Sequence, residues 1–142
     1  MSGDVGYATE CLAAARDLLT RPDPGTTGLW PRAAAFLGRQ ALEDAMSWVW
    51  LTRAPGLENC SKRAQLLCLP EFLEDEDLAE SAAHVYGRLS LACHHHPYEL
   101  SPTVSELTAW LDEVDRVVVK ATEVPAGPHD PATGASASRS NS

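Results

Sequence analysis

Prolines divide this sequence into segments in which apolar residues recur every three or four positions, and this pattern is the strongest constraint on its fold. Such spacing predicts amphipathic α-helices. The prolines stand near the predicted helix ends, because proline cannot donate the amide hydrogen bond that a helix interior requires. Ala and Leu, both strong helix formers, are frequent between them. The sequence therefore predicts an all-α protein.

We predict four long helices and one short one. The long helices span about residues 4–20, 30–53, 77–95 and 101–122, and the short one spans about 58–69 and is closed by Pro70. Two starts are open for the last helix: Ser101 caps it with Pro102 in the first position, or Thr103 caps it and Glu106 completes a capping box. Asp4 is the expected cap of the first helix.

The acidic segment 71–77 links the short helix to the next long one. We interpret it as a solvated loop that leads into a helix N-terminus, where acidic side chains are favourable. The alternative is a site for a cation or a basic partner. Residues 1–122 are predicted to form one helical domain and residues 123–142 a disordered tail, because the tail is too poor in large apolar residues to bury a core.

The second helix is apolar around much of its circumference, which predicts a central position among the helices. Its predicted buried residues are Ala34, Phe36, Leu37, Ala41, Leu42, Ala45, Trp48, Val49 and Trp50. The four cysteines lack CxxC spacing, so we expect reduced, buried side chains that act as small hydrophobes. These cysteines are Cys11, Cys60, Cys68 and Cys93.

The net charge of −9 and the pI of about 4.9 limit the possible partners. Such a surface repels nucleic acid, so any RNA-related function must use a local pocket or a basic partner, and we expect no DNA binding. No apolar stretch approaches the ~20 residues of a membrane span. The N-terminus lacks a secretion signal, which predicts a cytoplasmic protein without membrane partners.

Two segments resemble the HEPN superfamily (higher-eukaryote-and-prokaryote nucleotide-binding), in particular its small stand-alone bacterial members. The first is Gln-Ala-Leu-Glu-Asp-Ala at 40–45, within an alanine-rich second helix. The second starts at Arg88 and continues through three histidines to Leu100, and it looks like the family's Arg-x(4–6)-His motif. The order of the helices also matches over about residues 4–122. The resemblance implies a four-helix up-and-down bundle with an extra short helix, which is usually a homodimer and sometimes a metal-independent ribonuclease without a cofactor.

The resemblance implies catalytic roles for Arg88 and for His94 or His95. Arginine can hold phosphate oxygens, and histidine can move the proton of the ribose 2′-hydroxyl. If the helix persists to His95, this residue returns to within about 20° of Arg88, whereas an earlier end lets His94 turn inward. The supporting candidates are Gln40, Glu43 and Tyr98. Consecutive helical histidines diverge by about 100°, so we predict no metal site.

Three functions fit these residues. The first is a HEPN-like domain that regulates by binding a nucleotide, RNA or a partner protein. The second is a metal-independent endoribonuclease of the toxin or stress-response type. The third is a non-catalytic, structural dimerisation bundle, in which Arg88 forms an ion pair with Glu10, Glu43 or Asp44. Family nucleases often carry a polar residue where this sequence has Leu89, which favours binding over catalysis.

Overall fold

The computed structural model describes residues 5–20, 29–94 and 100–123. These residues form five α-helices and no strand, so the all-α prediction is confirmed. The helices are α1 (Gly6–Thr20), α2 (Trp30–Arg53), α3 (Lys62–Leu73), α4 (Glu76–Cys93) and α5 (Val104–Glu123), with a 3₁₀ turn (Leu57–Asn59) before α3. The Asp4 cap and the predicted tail beyond Glu123 lie outside the described residues.

Helix α2 occupies the centre of the fold, as its apolar circumference predicts. It packs against α1, α4 and α5, while α3 packs mainly on α4. Its residues Leu42, Met46 and Trp50 are fully buried. Phe36 is an exception to the predicted core, because 47% of its surface is exposed. None of the described helices is long and apolar enough to cross a bilayer.

Helix α3 continues through Pro70 to Leu73, so the prediction that it ends before Pro70 was wrong. Proline lacks the amide hydrogen that the Leu66 carbonyl would accept in a regular helix. Packing offsets this loss, because Leu73 is fully buried and the Phe72 ring meets the Trp50 ring edge-on, with centroids 5.8 Å apart. Contacts distant in sequence therefore extend the helix past its local stop signal.

The acidic segment forms a tight helix-to-helix connection instead of a solvated loop. Glu74 ends α3 in the left-handed conformation, with φ of 61°. Its carboxylate accepts a 3.1 Å hydrogen bond from Nη2 of Arg53, whose side chain is nearly buried. Asp75 then caps α4 by accepting from the Leu78 amide at 3.0 Å. The predicted acidic helix N-terminus is confirmed, since the first turn of α4 contains Glu76 and Asp77.

A reciprocal capping box starts α5, which resolves the choice between its two predicted starts. The Glu106 amide donates to Oγ1 of Thr103 at 3.1 Å, and the Thr103 amide donates to Oε1 of Glu106 at 3.1 Å. The helix then begins at Val104 and ends at Glu123.

The cysteines are free, but they are not uniformly buried. Cys11 lies in the core, whereas Cys68 and Cys93 are partly buried. Cys60 is exposed, so the expectation of burial was wrong there. It follows the 3₁₀ turn directly, in extended backbone outside the amphipathic helices, so no helix face carries it into the core.

Candidate functional site

Arg88 is exposed on α4 and is held by an aromatic ring of α5. Its guanidinium carbon lies 5.7 Å from the centroid of the Trp110 ring. Arg88 makes no ion pair with another residue of the described ranges. A guanidinium over an indole face is attracted by the ring and keeps its planar edge of N–H donors available to solvent. This arrangement can bind an anion through that edge.

Two of the three carboxylates proposed to form an ion pair with Arg88 have other contacts. Oε2 of Glu43 accepts a 2.8 Å hydrogen bond from the Tyr86 hydroxyl, and Asp44 accepts from the Ala8 amide at 3.0 Å. Tyr86 and Arg88 point about 160° apart on α4. Glu43 therefore contacts the opposite side of α4 and does not orient Arg88.

Helix α4, which carries the predicted Arg-x(4–6)-His motif, ends earlier than expected. Helix α4 stops at Cys93, and His94 has extended backbone, with φ of −95° and ψ of 136°. Nε of Arg32, at the start of α2, donates to the Cys93 carbonyl at 3.3 Å. The prediction of a helix through His95 was therefore wrong. An arginine from another helix binds one of the last α4 carbonyls, where positive charge is favourable.

The site residues predicted from the motif do not all lie together. His94 is exposed and stands six positions after Arg88, about 9 Å along a helix axis. No hydrogen bond joins the two side chains, both of which lie in the described part of the chain. Gln40 is half-buried on α2 and lies about one helical turn before Glu43. His95 and Tyr98 lie outside the described residues.

A second polar cluster, not anticipated from the sequence, lies between α2 and α4. It contains Arg32, Arg39 and Glu43 from α2 with Tyr86 and Cys93 from α4. The guanidinium carbon of Arg39 is 5.9 Å from the centroid of the Phe36 ring, and its buried Nε has no hydrogen-bond partner among the described residues. The signal was present in the sequence, because residues 32, 36, 39 and 43 follow the helical spacing of one α2 face.

Burial is the main cause of the raised pKa values of Tyr86 and Cys93 in this second cluster. It raises the pKa of Tyr86 to about 12, with the hydrogen bond to Glu43 as the next cause. Burial also raises the pKa of the Cys93 thiol, although the charges of Arg39 and Arg32 oppose the shift. Both groups therefore stay protonated near neutral pH. They can donate hydrogen bonds there but do not supply an anionic nucleophile.

His84 is a further residue that the motif did not identify. It precedes Arg88 by four positions on α4 and is exposed. Residues at this spacing are neighbours on one helix face. The structure thus places an unpredicted histidine nearer to the Arg88 side of α4 than the helix-terminal His94. In the described part of the chain, no three His, Cys, Asp or Glu side chains are placed to share a metal ion.

Comparisons with known proteins identify no relative of this chain. The chain matches no protein-family model, and no curated protein or solved structure is significantly similar to it.

Proposed function

We propose that this chain is a HEPN-like helical domain with a regulatory role, and that it binds the phosphate of a nucleotide or of RNA at Arg88. The observation that carries the proposal is the exposed guanidinium of Arg88 over the Trp110 ring, without a carboxylate partner in the described residues. Arginine edges of this kind suit phosphate oxygens, which accept two parallel N–H bonds.

The arrangement of the helices supports the proposed HEPN relationship. Helices α1, α2, α4 and α5 share the core, and α3 is the extra short helix on α4. The Arg88–His94 segment lies at the end of the third of the four long helices. A four-helix bundle with its motif at this position is what the sequence resemblance implies. A homodimer would complete such a domain.

The overall charge favours a small binding site over an extended nucleic-acid surface. At a net charge of −9, the protein gains little from long-range attraction to phosphates. Binding must come from a few short contacts at Arg88, with His84 as its neighbour on the same face. A site with one or two phosphate contacts predicts a shallow salt dependence, with a logarithmic slope of about −1 to −2.

Fluorescence anisotropy with a short labelled RNA, and competition by ATP, tests the binding proposal. Arg88→Gln should weaken binding about tenfold, since it removes a charge-assisted contact. Arg63→Gln is the matched control, because Arg63 is exposed on α3 and its loss changes the net charge equally. Equal weakening by both variants, or none by Arg88→Gln, would contradict a phosphate site at Arg88.

An endoribonuclease is the second candidate, and the early end of α4 favours it. The exposed His94 is released from the helix and can approach a phosphate held by Arg88. Cleavage of a mixed RNA in EDTA should then be lost in Arg88→Ala and in the His94→Ala/His95→Ala double variant, with folding verified by circular dichroism. Binding without cleavage retains the first proposal alone. Cleavage that persists in both folded variants rejects the assigned residues.

A further inference from the structure

An apolar groove with an acidic border runs between α3 and α4. Its volume is about 370 Å³. Helix α3 contributes Leu66, Leu67 and Pro70 to its wall, and Leu67 is 75% exposed. The opposite face of α3 is already used in the core, where Leu69 and Leu73 are fully buried. Leu67 therefore belongs to a second apolar face that the rest of the described chain does not cover.

The α4 side of the groove combines small and acidic residues. Ala79 and Ala83 form its apolar part, while Glu76, Asp77 and Glu80 add three carboxylates. Small side chains let another helix approach closely. The side chains of the three acids make no hydrogen bond or ion pair with any described residue. Their charge is available to a partner, unlike that of Glu74, which binds Arg53.

Pro70 adds a backbone feature to the same groove. It lies inside α3 and lines the groove together with Leu66. Because proline has no amide hydrogen, the Leu66 carbonyl loses the donor that a helix normally supplies four residues later. A lysine or arginine entering the groove can donate to such a carbonyl, which gives a second reason to expect a basic ligand.

We propose that the α3–α4 groove docks a basic amphipathic helix of a partner protein. Leu67 and its apolar neighbours would cover the apolar face of that helix, and the three carboxylates would pair with lysines or arginines beside it. A groove between two helices suits a helical ligand with anchors at every third or fourth residue. The lining residues extend from Glu76 to Ala83 along α4, which is about 10 Å of helix. This length accommodates about two turns of a partner helix.

Segment 124–142 is not a suitable occupant by charge. The segment 124–142 contains a single arginine, Arg139, and an aspartate, Asp130. A second copy would bring another net charge of −9 to an acidic border. Charge complementarity thus selects a different, basic protein. The groove and the proposed phosphate site are separated along α4, because Glu80, the closest to Arg88 of the groove residues on the Arg88 side of α4, lies about 12 Å from it along the helix axis.

Anisotropy with a fluorescein-labelled amphipathic peptide of Leu, Lys and Ala tests this inference on the full chain. A scrambled peptide of equal composition controls for general attraction to an acidic protein. Leu67→Ala and the Glu76→Gln/Glu80→Gln double variant each remove one part of the groove. Their controls are Val119→Ala and Asp115→Asn/Glu123→Gln, which truncate one aliphatic side chain and remove two negative charges at exposed positions of α5.

The amphipathic peptide should bind about tenfold more tightly than its scrambled form, and each groove variant should lose about five- to tenfold in affinity. Both controls should stay within about twofold of wild type, and nuclear magnetic resonance shifts should map to α3 and α4. Equal binding of the two peptides, or equal losses in the controls, would replace docking by diffuse charge attraction. A wild-type dimer that Leu67→Ala converts to monomer would assign the groove to a second copy instead.

Discussion

The indole nitrogen of Trp50 donates a 3.0 Å hydrogen bond to Oε1 of Gln65, and both side chains are buried. Nε2 of Gln65 in turn donates to the Cys60 carbonyl at 2.8 Å and to the Glu58 carbonyl at 3.3 Å. One buried amide thus satisfies the central tryptophan of α2 and two carbonyls of the α2–α3 connection. This network fixes α3 against the core.

Gln65→Leu should lower the free energy of unfolding by about 2–3 kcal/mol, because it leaves the Trp50 indole and two carbonyls without this partner. Urea unfolding followed by circular dichroism measures the loss. Gln40→Leu makes the same change at a half-buried position of α2 and should stay within about 0.5 kcal/mol of wild type. Similar effects at both positions would contradict the importance of the buried network.

Alanine should have opposite effects at two helical glycines. A Cβ at Gly38 would lie 2.9 Å from Cδ2 of the fully buried Leu111, while a Cβ at Gly87 would meet nothing within 4 Å. Gly87→Ala should stabilise the protein by about 0.5–1 kcal/mol through helix propensity. Gly38→Ala should destabilise it by about 1 kcal/mol net, because overpacking exceeds that gain. Chemical denaturation of the two variants measures the change in the free energy of unfolding for each. Equal stabilisation would show that the Leu111 side chain can move at little cost.

Loss of the α5 capping box should be measurable in a single substitution. Thr103→Ala removes the acceptor of the Glu106 amide and should cost about 1 kcal/mol of stability. Ser105→Ala changes a nearby exposed residue of the same first turn, and alanine there should be neutral or slightly stabilising. Thermal unfolding distinguishes the two variants. A neutral Thr103→Ala would mean that water replaces the cap without loss.

Tyr86 should be a source of instability at high pH. Burial and the bond to Glu43 raise its pKa from 10.0 to about 12, so the folded state holds the phenolic proton more tightly than the unfolded state. Its contribution to stability is therefore complete below pH 10 and is lost as the pH rises towards about 12. Tyr86→Phe should reduce the decline in stability over that range, as measured by denaturant midpoints.

A spectroscopic titration isolates the contribution of Glu43. Tyrosinate absorbance should show a late ionisation step in wild type that Tyr86→Phe removes. Glu43→Gln should move this step to lower pH, since the carboxylate charge no longer opposes the phenolate. An unchanged late step in Tyr86→Phe would assign it to another tyrosine.

Local signals in the sequence predicted the ends of α1 and α2, at residues 20 and 53, but placed both the start and the end of α3 four residues too early. The Thr103 box involves residues three positions apart, so its pattern is visible without the tertiary structure. The ends of α3 and α4 instead depend on long-range contacts. Phe72 reaches Trp50, and Arg32 reaches the Cys93 carbonyl across 61 residues. No local propensity encodes these partners.

The candidate site shows the same division between local and long-range information. The sequence identified Arg88 and Glu43 but did not show that Glu43, from α2, contacts the side of α4 opposite to Arg88. Helical spacing gives the angle between Tyr86 and Arg88, yet only packing decides which of them faces α2. The contact between Arg88 and Trp110 joins two helices and was not expected from the motif. Arg88 thus lies over an aromatic ring and does not form the ion pair with Glu43 or Asp44 that was one of the alternatives.

Glu74 serves two requirements that favour different amino acids. Its left-handed backbone, with φ of 61°, is easiest for glycine or asparagine, whereas the nearly buried Arg53 requires a carboxylate. Neither residue can change alone without loss, so divergence at positions 53 and 74 should be correlated. In related sequences, an acidic residue at 74 should accompany a basic residue at 53, and glycine at 74 should coincide with an uncharged side chain at 53.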